Sequence, residues 1–202
     1  MGIPTAELRS AWASVESRYG SYQLVLPGEP GFICQPDSCD AYCCRAFNVT
    51  LDEQEVRNLG ETSGLQPAHF LESENGEPIV LPLATPFVLG RREGSCVFLS
   101  MELTCEQYEA RPNPCRSYPY QVIFVEIESG RALQQGPEVG CKAVEALVRG
   151  LVDKRVMPLL LRHDQCPGFT GPPSTEDEWV RLLQETYGRS IGGAGEVVSS
   201  PP

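Results

Sequence analysis

Nine cysteines stand in a chain of 202 residues: Cys34, Cys39, Cys43, Cys44, Cys96, Cys105, Cys115, Cys141 and Cys166. Thiols at that density either build a disulfide framework or hold a soft metal, and the redox compartment decides between the two. The opening residues, MGIPTAELRSAWASVESRYG, carry Glu7, Arg9, Glu16 and Arg18 and lack the apolar stretch of a secretory signal. Ala6 stands where a myristoylation pattern has Ser or Thr. The expectation is therefore a reducing, cytoplasmic compartment, in which disulfides do not persist. The odd count and the adjacent pair Cys43–Cys44 also suit a set of bridges poorly. Metal ions are the expected partner.

Charge and composition narrow the remaining classes. The formal net charge is -11, and the basic residues are scattered rather than clustered into a footprint for phosphates. Neither nucleic acid nor an anionic membrane is expected as a partner, and a protein partner stays unknown. The longest apolar run, Val156 to Leu161, is far below the roughly 20 residues of a membrane-spanning helix. Only Lys142 and Lys154 are lysines among 16 basic residues, a bias that reflects a GC-rich genome rather than function. With 19 glycines and 18 prolines much of the chain should be loop.

Periodicity places the elements. Residues 6–18 read as a helix with Leu8, Trp12 and Val15 on one face. Thr50 and Glu53 form a capping-box pattern opening a helix through Leu59, stopped by Gly60. Residues 79–89 suggest two extended pieces broken by Pro82 and Pro86, and strands are expected at 96–99 and 121–127. Thr104 to Gln107 is a second capping-box pattern, expected to open a short helix before Arg111. The strongest helix spans about 139–156, with Val144, Leu147, Val148, Leu151 and Val152 in register. A last helix starts near Ser174 or Thr175, with Glu178 as capping partner and Trp179, Leu182, Leu183 and Tyr187 on one face. These stripes are expected to be core.

The predicted fold class is α+β: a small, loop-rich single domain with short strands and several helices around a cysteine metal-binding core. Residues 1–31 form a helix and lead-in, 32–169 the cysteine-cluster domain, 170–191 a helix packed on it, and 192–202 a disordered tail.

The cysteines fall into two groups. Cys34, Cys39, Cys43 and Cys44 lie within eleven residues. On a helix Cys44 would point about 100° away from Cys43, and on a strand to the opposite side. The two are therefore expected to serve different metals or to bridge them. The second group is Cys96-Val-Phe-Leu99, then Cys105-Glu-Gln-Tyr108-Glu-Ala-Arg111-Pro-Asn-Pro-Cys115-Arg116-Ser-Tyr-Pro119. Cys141 and the Cys166-Pro-Gly element follow.

This order of motifs resembles the YkgJ-like cysteine-cluster family of zinc- or iron-chelating domains, over about Phe32 to Gly168. The resemblance implies that Cys34, Cys39, Cys43, Cys44, Cys96, Cys105, Cys115 and Cys166 are metal ligands. Cys141 is either a ninth ligand or a thiol buried by its helix. The opening spacing, Cys-x4-Cys-x3-Cys-Cys, is longer than the tightest family versions. Arg45, Arg111 and Arg116 stand beside ligands and are expected to offset thiolate charge, since a zinc ion in four thiolates carries a net -2. His163, three residues before Cys166, is expected to be a solvated side chain at a helix-to-loop exit, and His69 has no role.

All-sulfur ligation selects zinc, iron–sulfur or Cu(I). Zinc is the first choice of cofactor, two or more ions in a structural or binding role, because closed thiolate shells stabilise loop-rich folds. An iron–sulfur cluster is the alternative, since the resemblance reaches the flagellin lysine methylases, which implies methyl transfer or redox chemistry. The sequence carries no Gly-rich nucleotide fingerprint, no Cys-x3-Cys-x2-Cys radical spacing and no visible catalytic constellation, so enzymatic activity is left open. Replacing a ligand should cost metal and stability together. Cys43→Ser is expected to lower both the metal content and the melting temperature, checked by elemental analysis and thermal denaturation.

Overall fold

The computed structural model describes residues 2–133, 135–152 and 155–191. The segment 192–202, expected as a disordered tail, lies outside the described residues. The described chain is mixed α+β, with six α-helices and short strands that all pair antiparallel. It clusters into two compact units, a sheet unit made of residues 2–34 and 118–191 and a thiol unit, Gln35–Ser117.

The sheet unit is built on four strands in the order Tyr22–Leu24, Val156–His163, Tyr120–Glu126, Arg131–Leu133. Every residue from Val156 to Leu161 is buried. A strand covered on both faces shows a continuous apolar run rather than alternation, so its period cannot be told from that of a buried helix. No strand is expected here from the sequence, and the expected helix of about 139–156 overlaps this strand only at Val156. The helix is Pro137–Val148, ending ahead of Gly150 at φ 70, and Leu151 and Val152 are exposed beyond it.

Two further helices face the same core. Thr5–Ala13 buries Leu8 and Trp12, and Val15 follows it into the core. Glu176–Ile191 buries Trp179, Leu183 and Tyr187, with the Trp179 indole N–H donating to the Val25 carbonyl at 2.9 Å. Its expected cap is present: the Thr175 hydroxyl accepts from the Glu178 amide at 3.2 Å, and the Glu178 carboxylate accepts from the Thr175 amide at 2.7 Å.

The thiol unit has a smaller core of Val49, Leu51, Val56, Leu59, Phe70, Leu71, Leu89 and Phe98, against which Cys96 and Cys115 pack. Its main helix is Glu53–Ser63, two residues later than expected. Thr50 is taken up by a strand paired with Val88, so Asp52 and Glu55 form the capping box, and the helix stops at Gly64 in the left-handed region, φ 70. The helix expected after Thr104 does not form. Thr104 is drawn into a turn with Ser100, and Cys105 bridges to Leu99 instead of opening a helical turn. A helix forms later, at Asn113–Ser117.

The Cys-Pro-Gly element has a packing reason in the sheet unit. Ile33 N–H donates to Gly168 O at 2.7 Å and Gly31 N–H to Pro172 O at 2.9 Å, so two backbone segments run against each other. A Cβ at position 168 would lie 2.5 Å from Phe32 Cε2 and 2.7 Å from the Ile33 carbonyl oxygen. Gly168→Ala is therefore expected to destabilise the protein by roughly 1–3 kcal/mol, the usual range for overpacking. Thermal melting checks this, with Gly188→Ala as control, since a Cβ there meets nothing within 4 Å.

Candidate metal centre

Six cysteines belong to the thiol unit: Cys39, Cys43, Cys44, Cys96, Cys105 and Cys115. Short elements carry them. Cys39 follows a 3-10 turn, Pro36–Ser38, and Ala41 then adopts the left-handed conformation, φ 58, at the start of the single-turn helix Tyr42–Ala46. That helix packs against the strand Ser95–Cys96, which pairs with Arg91–Arg92 across Glu93 and Gly94. Both turn residues have positive φ, the geometry that matches the twist of a two-residue hairpin. Cys115 sits on Asn113–Ser117, and the Asn113 amide donates to Glu55 at 2.7 Å. The other oxygen of Glu55 accepts from the Asp52 amide, so one carboxylate ties the capped helix to the Cys115 turn.

The adjacent sulfurs do not diverge. Cys43 Sγ and Cys44 Sγ lie 3.9 Å apart, against about 3.8 Å for the edge of a tetrahedron with zinc–sulfur bonds of about 2.3 Å. The expectation that the two serve different metals or bridge them started from the helical angle between adjacent Cβ atoms. A rotation about χ1 swings each sulfur well off its Cβ direction, and here it brings the two together.

Electrostatics gather three more thiols around this pair. Cys44 is in hydrogen-bonding contact with both Cys43 and Cys96, and these contacts raise its own thiol above the usual range. Those hydrogen bonds bring Cys43 down to about 7, aided by the Arg111 charge, and Cys96 to about 7, aided by Arg91. Burial raises Cys105, and it pushes Cys115 up to about 12 with help from the charges on Cys96 and Cys105. Five sulfurs from four separated stretches thus share one electrostatic neighbourhood. As the side chains stand, no group of three or more His, Cys, Asp or Glu among the described residues is set to hold an ion. The donor set nonetheless fits a soft cation, because the close sulfur pair already spans a ligand–ligand edge.

Of the three arginines expected near the ligands, Arg111 carries its charge to Cys43, Cys105 and Cys115. It is held by a hydrogen bond from Nε to Tyr108 O at 2.8 Å and by stacking 3.7 Å from the Tyr108 ring centroid. Arg116 braces the same loop, donating to the Arg111 and Glu109 carbonyls at 2.7 Å each. Arg45 contributes its carbonyl, which accepts from Arg91. Glu55 and Arg91 escaped the sequence reading, although Asp52-x-x-Glu55 is itself a capping-box pattern.

The remaining three cysteines belong to the sheet unit. Cys34 is exposed and adjoins the Ile33–Gly168 pairing. Cys166 follows His163 in a turn and lies close enough to Tyr120 to raise its phenol, behind the larger effect of burial. Cys141 sits on Pro137–Val148 against the hydrophobic core near Tyr187. His163 departs from expectation: it ends the central strand, is 4% exposed, and packs edge-on to Tyr22 with ring centroids 4.8 Å apart. Burial lowers its pKa, and the backbone amide of Gln165 donates to Nδ1 at 3.3 Å. None of the nine cysteines is joined in a disulfide.

The short elements and the thiol set together define a metal-chelating cysteine-cluster domain. A family model named CxxCxxCC, described as a "Putative zinc- or iron-chelating domain", matches residues 33–142, and the chain belongs to that family. The matched span ends just past Cys141 and leaves Cys166 outside. No curated protein matches the chain. No solved structure matches it either.

The thiolate is the nucleophile toward alkylating agents. In reduced, metal-free protein at pH 7, Cys43 and Cys96 are expected to react first with iodoacetamide, at rates that climb as pH rises through about 7. Cys115 should lag until far higher pH. Mass-mapped labelling at several pH values checks the order.

Proposed function

We propose that this chain is a zinc-chelating protein whose thiol unit holds metal through Cys43, Cys44, Cys96, Cys105 and Cys115, in a structural or binding role. The observation that carries the reading is the mutual interaction of these five sulfurs, with Cys43 and Cys44 Sγ 3.9 Å apart. Soft thiolate donors select zinc, Cu(I) or iron–sulfur, and zinc alone closes a four-sulfur shell without assembly machinery or a redox partner. Five donors exceed one tetrahedral shell, so a second ion or a shared sulfur accommodates the fifth, and Cys39 is the nearest further donor in sequence.

Bound zinc would supply charge compensation and crosslinking. Each ion neutralises part of the thiolate charge and joins segments that the modest apolar core of this unit holds together only in part. Cys34, Cys166 and Cys141 are further candidates through the family resemblance. Chelation through thiolates needs a reducing compartment, and a cytoplasmic location is part of this reading.

Anaerobic purification tests the reading. The expected product is colourless and carries two or more zinc ions per chain by elemental analysis, because a d10 ion has no ligand-field colour. Absorption near ~400 nm with matched iron and acid-labile sulfide would instead establish the iron–sulfur alternative and overturn zinc.

A further inference from the structure

Arg91 occupies a position that its sequence neighbours do not explain. It lies directly opposite Cys96 in the hairpin ladder. Its Nη2 donates to the carbonyls of Arg45 and Gly94, and its Nη1 donates to Asn48 Oδ1 at 3.1 Å and Phe47 O at 3.4 Å. Its backbone amide donates to Glu72 at 3.2 Å. Arg45 and Phe47 closely follow Cys44, at the end of the helix Tyr42–Ala46. The last carbonyls of any helix lack intrahelical partners, and a guanidinium at that end satisfies them while opposing the helix dipole.

We infer that Arg91 is the positioning residue of the thiol centre: its guanidinium fork pins the end of the Cys43–Cys44 turn to the hairpin bearing Cys96, so that three sulfurs from two segments are assembled before an ion arrives. The inference rests on the chelating function proposed above. A single charge beside Cys96 would not require a fork. Four acceptors drawn from two segments do, because guanidinium presents five N–H donors in one plane whereas an ammonium group is a compact point charge. The arrangement therefore separates geometry from charge, and Lys at this position retains only the charge.

The experiment compares zinc-loaded wild type with Arg91→Lys, Arg91→Ala and Arg92→Ala. Arg92 is the exposed neighbour and serves as control. The rate of zinc loss to a chromophoric chelator and the visible spectrum of the cobalt(II)-substituted proteins are read for each. Expected is unchanged zinc per chain at saturation, with loss accelerated about tenfold or more in both Arg91 variants, the usual effect of removing a group that orients metal ligands. Their cobalt spectra should also shift, a change in ligand geometry that a general loss of stability would not produce, while Arg92→Ala matches wild type. Arg91→Lys keeps the test decisive if the alanine variant does not fold. A lysine variant indistinguishable from wild type would show that charge suffices and overturn the inference, as would an alanine variant that releases zinc at the wild-type rate. Wild-type protein that takes up no zinc or cobalt would remove the chelating reading itself, a result distinct from variants that merely equal a metal-binding parent.

Discussion

Each sulfur that ionises in the thiol unit makes the next one harder to ionise, and this mutual repulsion is the constraint around which the unit is arranged. Contact with Cys43 and Cys96 raises the Cys44 thiol, and the same contacts lower Cys43 and Cys96 to about 7. Burial, with the charges on Cys96, Cys105 and Cys43, pushes Cys115 up to about 12. Without metal, thiol protons and the nearby Arg111 and Arg91 offset the charge. A divalent cation would replace the protons and release the remaining thiols to coordinate, which couples metal affinity to pH and to folding.

The two units stand on different physical footing. The sheet unit buries a continuous set of large apolar side chains, among them Trp179, Leu159, Leu160 and Leu161, and has the ordinary hydrophobic source of stability. The thiol unit has a smaller apolar cluster and several two-residue strands, so more of its order is carried by polar devices. Glu55 ties a helix cap to the Cys115 turn, Arg116 braces the loop that carries Arg111, and Arg91 joins the Cys43–Cys44 turn to the Cys96 hairpin. Each device links a thiol-bearing segment to its surroundings through backbone groups. The cysteines themselves are left available.

Much of the site was legible because cysteine spacing is a one-dimensional signal. The motifs around Cys96, Cys105 and Cys115 identify the family without coordinates. Elements with clear periodicity or caps were also legible, as at Thr175–Glu178. The misreadings have specific causes. The strand Val156–His163 drew no strand expectation because both of its faces are buried and its apolar run lacks alternation. The capping box moved from Thr50 to Asp52 because strand pairing claimed Thr50. His163 read as solvated because nothing local announces the strand end and the aromatic rings that bury it.

The sequence by itself determined the chemistry on offer: nine soft donors, an acidic chain poor in basic clusters, and local signals for several helices. Residue identity and short-range periodicity are properties of neighbours along the chain, so they can be read without folding it. Tertiary structure alone decided which thiols share a neighbourhood, that Cys43 and Cys44 turn toward each other, and that a distant Arg91 holds their helix end. Those facts depend on side-chain torsions and on hydrogen bonds between segments more than forty residues apart, and no pattern of adjacent residues encodes them.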